Sequence, residues 1–134
     1  MKLLTLNVHA WLEDNQAEKI DIIANTIVEK GYDIVALQEV NQLMSAPLIS
    51  QALKQDNYGV VLLNKINQRM TQKYSLFWSN SHIGYDKYDE GIALLTKLPV
   101  YEVDAFYCSQ HQRVDSILSR KILGLTVEYQ GRLV

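Results

Sequence analysis

An α/β fold, a mixed sheet flanked by helices, is what this sequence predicts, and three stretches carry the prediction. Residues 3–8 form a mainly apolar run of strand length broken by Thr5 and Asn7, which suits a buried strand. Between residues 17 and 30, Ile20, Ile23, Ala24, Ile27 and Val28 recur at spacings of three and four. Glu18, Lys19, Asp21 and Lys30 take the opposite face, the pattern of an amphipathic helix. Residues 33–37 (Asp-Ile-Val-Ala-Leu) are again a continuous strand. Strand, helix and strand in so short a span make a βαβ unit with parallel pairing.

The remaining elements follow in order. Gly31 stops the first helix. Ser45-Ala46-Pro47 has the form of a helix start, with proline in the first turn, and predicts a helix continuing through Lys54. Residues 58–63 predict a third strand and the polar residues 64–73 a loop. Residues 75–78 predict a fourth strand, and 79–89, rich in Tyr, Asp and His, a long polar segment. Residues 91–95 are a compact apolar strand ended by Lys97-Leu98-Pro99, because proline cannot continue a central ladder. Strands at 100–108 and 119–129 flank a polar loop holding His111 and Arg113. Gln130-Gly131 predicts a turn, and 132–134 the start of a returning strand. A strand beginning there has little room to pair, so the natural protein is expected to continue. No internal repeat or low-complexity linker is visible.

Composition bounds the function. A chain of 134 residues is one domain by length, and 48% apolar with 21% charged residues excludes wholesale disorder. A net charge of −2 argues against a whole-surface electrostatic grip on nucleic acid and leaves room for a local basic groove. The single cysteine, Cys108, excludes an intramolecular disulfide and a thiolate metal cluster. It is expected to be a small buried hydrophobe on a strand. No segment approaches the roughly 18 apolar residues of a membrane span. The amino-terminal apolar run is too short for a signal peptide, so the chain reads as cytoplasmic.

Two polar residues stand where α/β sheets display chemistry, at the carboxyl ends of parallel strands: Asn7 after the first and Glu39 after the second. If the strands are neighbours, the side chains converge. A carboxylate beside an amide oxygen is hard-oxygen ligation suited to Mg2+ or Mn2+. Magnesium keeps most of its waters, so one or two protein oxygens and a phosphate can hold it. The plainer reading has Asn7 capping a turn and Glu39 as a solvated strand end.

Three motifs decide between these readings. Leu4-Thr5-Leu6-Asn7-Val8-His9-Ala10-Trp11, Tyr32-Asp33-Ile34-Val35-Ala36-Leu37-Gln38-Glu39-Val40 and Tyr88-Asp89-Glu90-Gly91-Ile92-Ala93-Leu94-Leu95-Thr96-Lys97-Leu98-Pro99 together resemble the endonuclease/exonuclease/phosphatase superfamily. That superfamily includes DNase I, exonuclease III, neutral sphingomyelinases and inositol-polyphosphate phosphatases. The resemblance covers nearly the whole chain but matches only the amino-terminal half of the family's domain. It implies that residues 1–134 are the amino-terminal portion of one such domain, half of a DNase I-like four-layer α/β sandwich. It also implies Mg-dependent hydrolysis of phosphate esters by the intact protein, the substrate being nucleic acid, phospholipid or inositol phosphate without distinction.

By the same resemblance Glu39 is the metal-binding glutamate and Asn7 the asparagine beside it. Glu90 matches an acidic residue that holds and polarises a catalytic histidine, fixing its tautomer. Arg120 sits where some members place a phosphate-contacting arginine, whose fork suits phosphate oxygens. The family's Asn-x-His-Leu-like strand, its Gly-Asp-x-Asn motif and its Ser-Asp-His motif are absent. None of His9, His82 and His111 has the context of the catalytic histidine. His9 is expected to line the cleft, and His82 and His111 to be solvated or locally hydrogen-bonded in polar loops. Trp78, Tyr85 and Tyr88 form either a substrate-facing wall or ordinary loop packing. The chain alone is expected to be inactive, to expose an apolar sheet face and to self-associate. The competing reading is a non-catalytic α/β binding or scaffold module with a complete small sheet and no metal dependence.

Overall fold

In the computed structural model, which describes residues 1–134, strand β1 (Leu3–Asn7) pairs in parallel with β2 (Ile34–Leu43). Helix α1 (Gln16–Lys30) joins them and ends on Gly31 in the left-handed region (φ 64°), whose N–H bonds back to Ile27 O. The βαβ unit stands as predicted. After helix α2 (Tyr58–Arg69), strand β3 (Ser75–Gly84) runs antiparallel to β4 (Tyr88–Thr96), giving a mixed sheet in the order β1-β2-β4-β3. A second sheet holds β5 (Val100–Tyr107), β6 (Lys121–Tyr129) and β7 (Arg132–Leu133) in antiparallel order.

Both helices lie on one face of the mixed sheet. Ile20, Ala24 and Ile27 of α1 and Tyr58, Leu62 and Ile66 of α2 pack with Val35, Leu37, Val40, Ala93 and Leu95 in a single core. The second sheet meets β3 and β4, with Lys121 Nζ 3.3 Å from Ser79 Oγ. Helices, mixed sheet and second sheet make this an α/β fold of the DNase I-like kind. No helix is long and apolar enough to cross a membrane.

Several expectations are corrected. Residues 58–63 are helix rather than strand, and the expected loop at 64–73 is mostly the same helix. Asn57 caps it, its Oδ1 accepting from the N–H groups of Gly59 and Val60, a local bond that an extended chain would forfeit. The helix predicted at 45–54 is absent: these residues form turns with one isolated bridge, Leu48 to Lys54. Gln42 ties them down, accepting from Lys54 N (3.0 Å) and Asn57 Nδ2 (2.9 Å) and donating to Ala52 O (3.0 Å).

The polar segment at 79–89 is not a loop. It completes β3 and turns through Tyr85 and Asp86, both at positive φ, the tight hairpin geometry that suits the twist of two strands. His82 therefore sits on a strand. Cys108 is exposed just beyond β5 rather than buried.

Candidate active site

Glu39 does not end its strand. β2 runs on to Leu43, and Glu39 occupies a bulge: Leu37 pairs with Ala93 and Val40 with Gly91, so β2 carries one residue more than β4. Its φ is 55°, an uncommon conformation for a side chain of this size. Bulges re-aim side chains and recur beside active sites. This one keeps Leu37 and Val40 in the core and leaves Gln38 and Glu39 on a cavity of about 820 Å³. Gly91 opposite has no room for a side chain, since a Cβ there would stand 2.7 Å from Trp78 Nε1.

Asn7 and Glu39 meet across the parallel pair. Asn7 Nδ2 donates to Glu39 Oε1 at 2.8 Å, and Asn7 Oδ1 accepts from His9 N at 3.0 Å. The backbone N–H can only donate, which fixes the amide's orientation. Asn7 thus caps a turn and also steadies Glu39; the two readings of this residue coexist. The other carboxylate oxygen of Glu39 makes no hydrogen bond within the chain. One free carboxylate oxygen fits a hard divalent ion that keeps its waters. No group of three acidic, histidine or cysteine side chains is assembled around it.

Glu90 lines the same cavity, together with His82, Ser119 and Arg120. His82 Nε2 stands 3.2 Å from Glu90 Oε1, both side chains nearly buried, so His82 lies within the site and not in a solvated loop. Arg120 lies just before β6 and folds onto its own loop, donating to Ile117 O (2.5 Å) and Ser119 O (2.9 Å). His9 and Asn7 line a smaller cavity of about 330 Å³. Its Nδ1 is 2.8 Å from Glu13. Hydrogen bonds from Lys19 and then from His9 pull the Glu13 carboxyl down to about 2. His111 is exposed and stands apart from both cavities. Tyr85 lines the larger cavity, whereas Trp78 donates to Val40 O at 3.0 Å and packs against the core.

Sequence reasoning missed the pairing of His82 with Glu90. No periodic signal marked it, because Ser79-Asn80-Ser81-His82 is an unbroken polar run and its strand character shows only in the pairing with β4.

The chain matches an endonuclease/exonuclease/phosphatase family protein from Leptotrichia buccalis at 50% identity and a TM-score of 0.96, over 99% of this chain and 50% of that one. TDP2 from Caenorhabditis elegans superposes with a TM-score of 0.62 at 17% identity, covering 98% of this chain and 32% of that protein. Mannosyl-6-phosphatase from Bacteroides thetaiotaomicron gives 0.62 at 16% identity, with coverages of 98% and 48%. The last two show shared fold alone. No family model and no curated protein matches the chain. The chain belongs to the endonuclease/exonuclease/phosphatase family, and it spans about half the length of its Leptotrichia relative.

Proposed function

We propose that this chain supplies the metal-holding portion of a Mg2+- or Mn2+-dependent phosphoesterase, residues 1–134 being the amino-terminal part of one domain. The observation that carries the reading is the Asn7–Glu39 hydrogen bond at a strained bulge on the wall of the larger cavity. Glu39 would hold the ion through its free oxygen, with Asn7 fixing the rotamer. A divalent ion there supplies Lewis-acid stabilisation of charge on a phosphoryl oxygen. Arg120 would contact the phosphate after swinging off its own loop carbonyls. Glu90 would orient an imidazole through its carboxylate. The substrate is a phosphate ester, the class to which the substrate of the mannosyl-6-phosphatase neighbour belongs.

Two further parts of the reading concern setting and assembly. An exposed free thiol at Cys108 suits a reducing, cytoplasmic compartment. The surface of 7732 Å² exceeds the roughly 7,200 Å² expected of a compact monomer this size. Phe106 and Ile122, paired across β5 and β6 on one face of the second sheet, are among the exposed apolar residues, and we expect this face to seat a second copy of the chain. Concentration-dependent sedimentation checks it; a monomer at every concentration counts against it.

The ion site is tested by Mn2+ titration followed by electron paramagnetic resonance. The chain is expected to bind, and Glu39→Gln to lose most of that binding. Equal binding by the variant would remove the basis of the reading. The chain alone is expected not to hydrolyse a generic phosphodiester with Mg2+, so turnover comparable to that of a longer relative would contradict its role as a part.

A further inference from the structure

We propose that His82 is a positioning residue for Glu90, holding that carboxylate on the cavity wall by the close approach of its Nε2. The proposal rests on the phosphoesterase reading for its purpose, though its geometry is independent of the ion.

The pairing is made by a second bulge. Asn80 pairs with Gly91 and His82 with Glu90, so β3 carries one extra residue, Ser81. In unbroken register Ser81 would face Glu90, and His82 would fall opposite Asp89 on the other side of the sheet. The two bulges flank β4 at nearly the same level, one in β2 between the partners of Ala93 and Gly91, the other in β3 between the partners of Gly91 and Glu90. Each turns a polar pair, Gln38–Glu39 and Ser81–His82, onto one cavity. Two disruptions of neighbouring ladders at a single point of their shared strand are costly for a sheet, and their common result is this cluster.

Glu90 is then enclosed on two sides. Its Oε1 lies 3.2 Å from His82 Nε2, and the pair is nearly buried at 12% and 15% exposure. On the other side stands Gly84, where a Cβ would come within 3.0 Å of Oε2. A carboxylate only accepts, so Nε2 is the atom of the pair that can donate. The other ring nitrogen, Nδ1, is sealed from solvent and has no partner. The acidic group beside the ring's other nitrogen, Nε2, is Glu90, which makes the ring a support for that carboxylate.

The test uses the full chain with His82→Gln, which keeps an N–H donor near the place of Nε2, and His82→Leu, which keeps bulk and offers none. The Glu90 carboxylate carbon is followed by 13C NMR beside thermal melts. The chain and His82→Gln are expected to hold the same narrow resonance, and His82→Leu to shift and broaden it. If Gln and Leu move the resonance alike, or if Leu lowers only the melting temperature, the proposal is overturned and His82 merely pins the hairpin. Should His82→Leu fail to fold, Glu90→Gln is read from the 15N signals of the His82 ring. Those must change, and an unchanged pattern is equally fatal. Mn2+ binding on the same samples separates the two ideas. Its absence in the unsubstituted chain defeats the ion site and leaves the His82–Glu90 result standing, whereas normal binding with an indifferent Glu90 defeats only the present proposal.

Discussion

Beneath α1 and α2, the mixed sheet buries Val35, Leu37 and Leu95 almost completely, whereas the second sheet leaves Val103, Phe106 and Ile122 about half exposed. Val127 is the one hydrophobic residue of β5, β6 and β7 that is fully covered. Both sheets carry long ladders interrupted only at bulges, so the difference lies in covering, not pairing. Hydrophobic stabilisation scales with area removed from water. The cohesion of this chain therefore sits in its helix-backed sheet, and the second sheet is a largely uncovered attachment to it.

The sharpest way to break that contrast is to shorten one side chain on each sheet. Leu62→Ala, in the core beneath the mixed sheet, is expected to cost about 2–5 kcal/mol through lost transfer energy and a residual cavity. Val103→Ala, on exposed β5, is expected to stay within about 0.5 kcal/mol. Urea denaturation of both variants checks the pair, and comparable losses would mean that the second sheet is covered in solution.

A smaller separation is expected at alkaline pH. Burial pushes the Tyr58 phenol up to about 12. Burial, and then the Asp33 charge, do the same for Tyr74. Both side chains belong to the helix-backed core. Their folded-state values lie above the ordinary tyrosine value near 10, so the unfolded chain loses these protons first as pH rises. Stability from them is complete below about pH 10 and declines until about 12. Tyr101 also titrates high, but through its bond to Glu128 at the surface of the second sheet. Tyrosinate absorbance should therefore rise in step with loss of helical circular dichroism for the core pair. In Tyr58→Phe the alkaline decline should be shallower, and an unaltered slope would remove Tyr58 as its cause.

The two regions also differed in how well the sequence announced them. β1, α1, the start of β2, the core of β4 and the β5–β6 hairpin were legible because apolar periodicity and turn residues agreed there. Helix α2 was not, because Val60-Val61-Leu62-Leu63 is as good a strand as a helix when read alone. The deciding signals were Asn57 at the cap and the four-residue spacing of Tyr58, Leu62 and Ile66. The false helix at 45–54 failed for the opposite reason: Gln42, ten or so residues away in the chain, claims its polar groups. At the site, the parallel pairing of the first two strands placed Asn7 beside Glu39, which the sequence could anticipate. The bulges that turn Glu39 and His82 to one cavity could not be anticipated, since an extra residue in a ladder exists only relative to its partner strand.

The finest distinction concerns Glu39, where stability and role pull apart. Its φ of 55° is a conformation that glycine adopts freely and other residues hold at a cost. A residue kept only for structure would be replaced there at a gain. Glu39→Gly is expected to be neutral or to stabilise the chain by up to about 1 kcal/mol, while removing the carboxylate that Asn7 steadies. Glu39→Ala keeps the strain and loses the same carboxylate, so it should be less stable than Glu39→Gly. Thermal melts of the two variants decide it. If alanine is the better tolerated, the bulge relaxes on substitution and Glu39 does not hold it in a strained shape. If glycine wins, the fold is carrying an unfavourable backbone for the sake of the side chain on it, as expected of a site rather than of a scaffold.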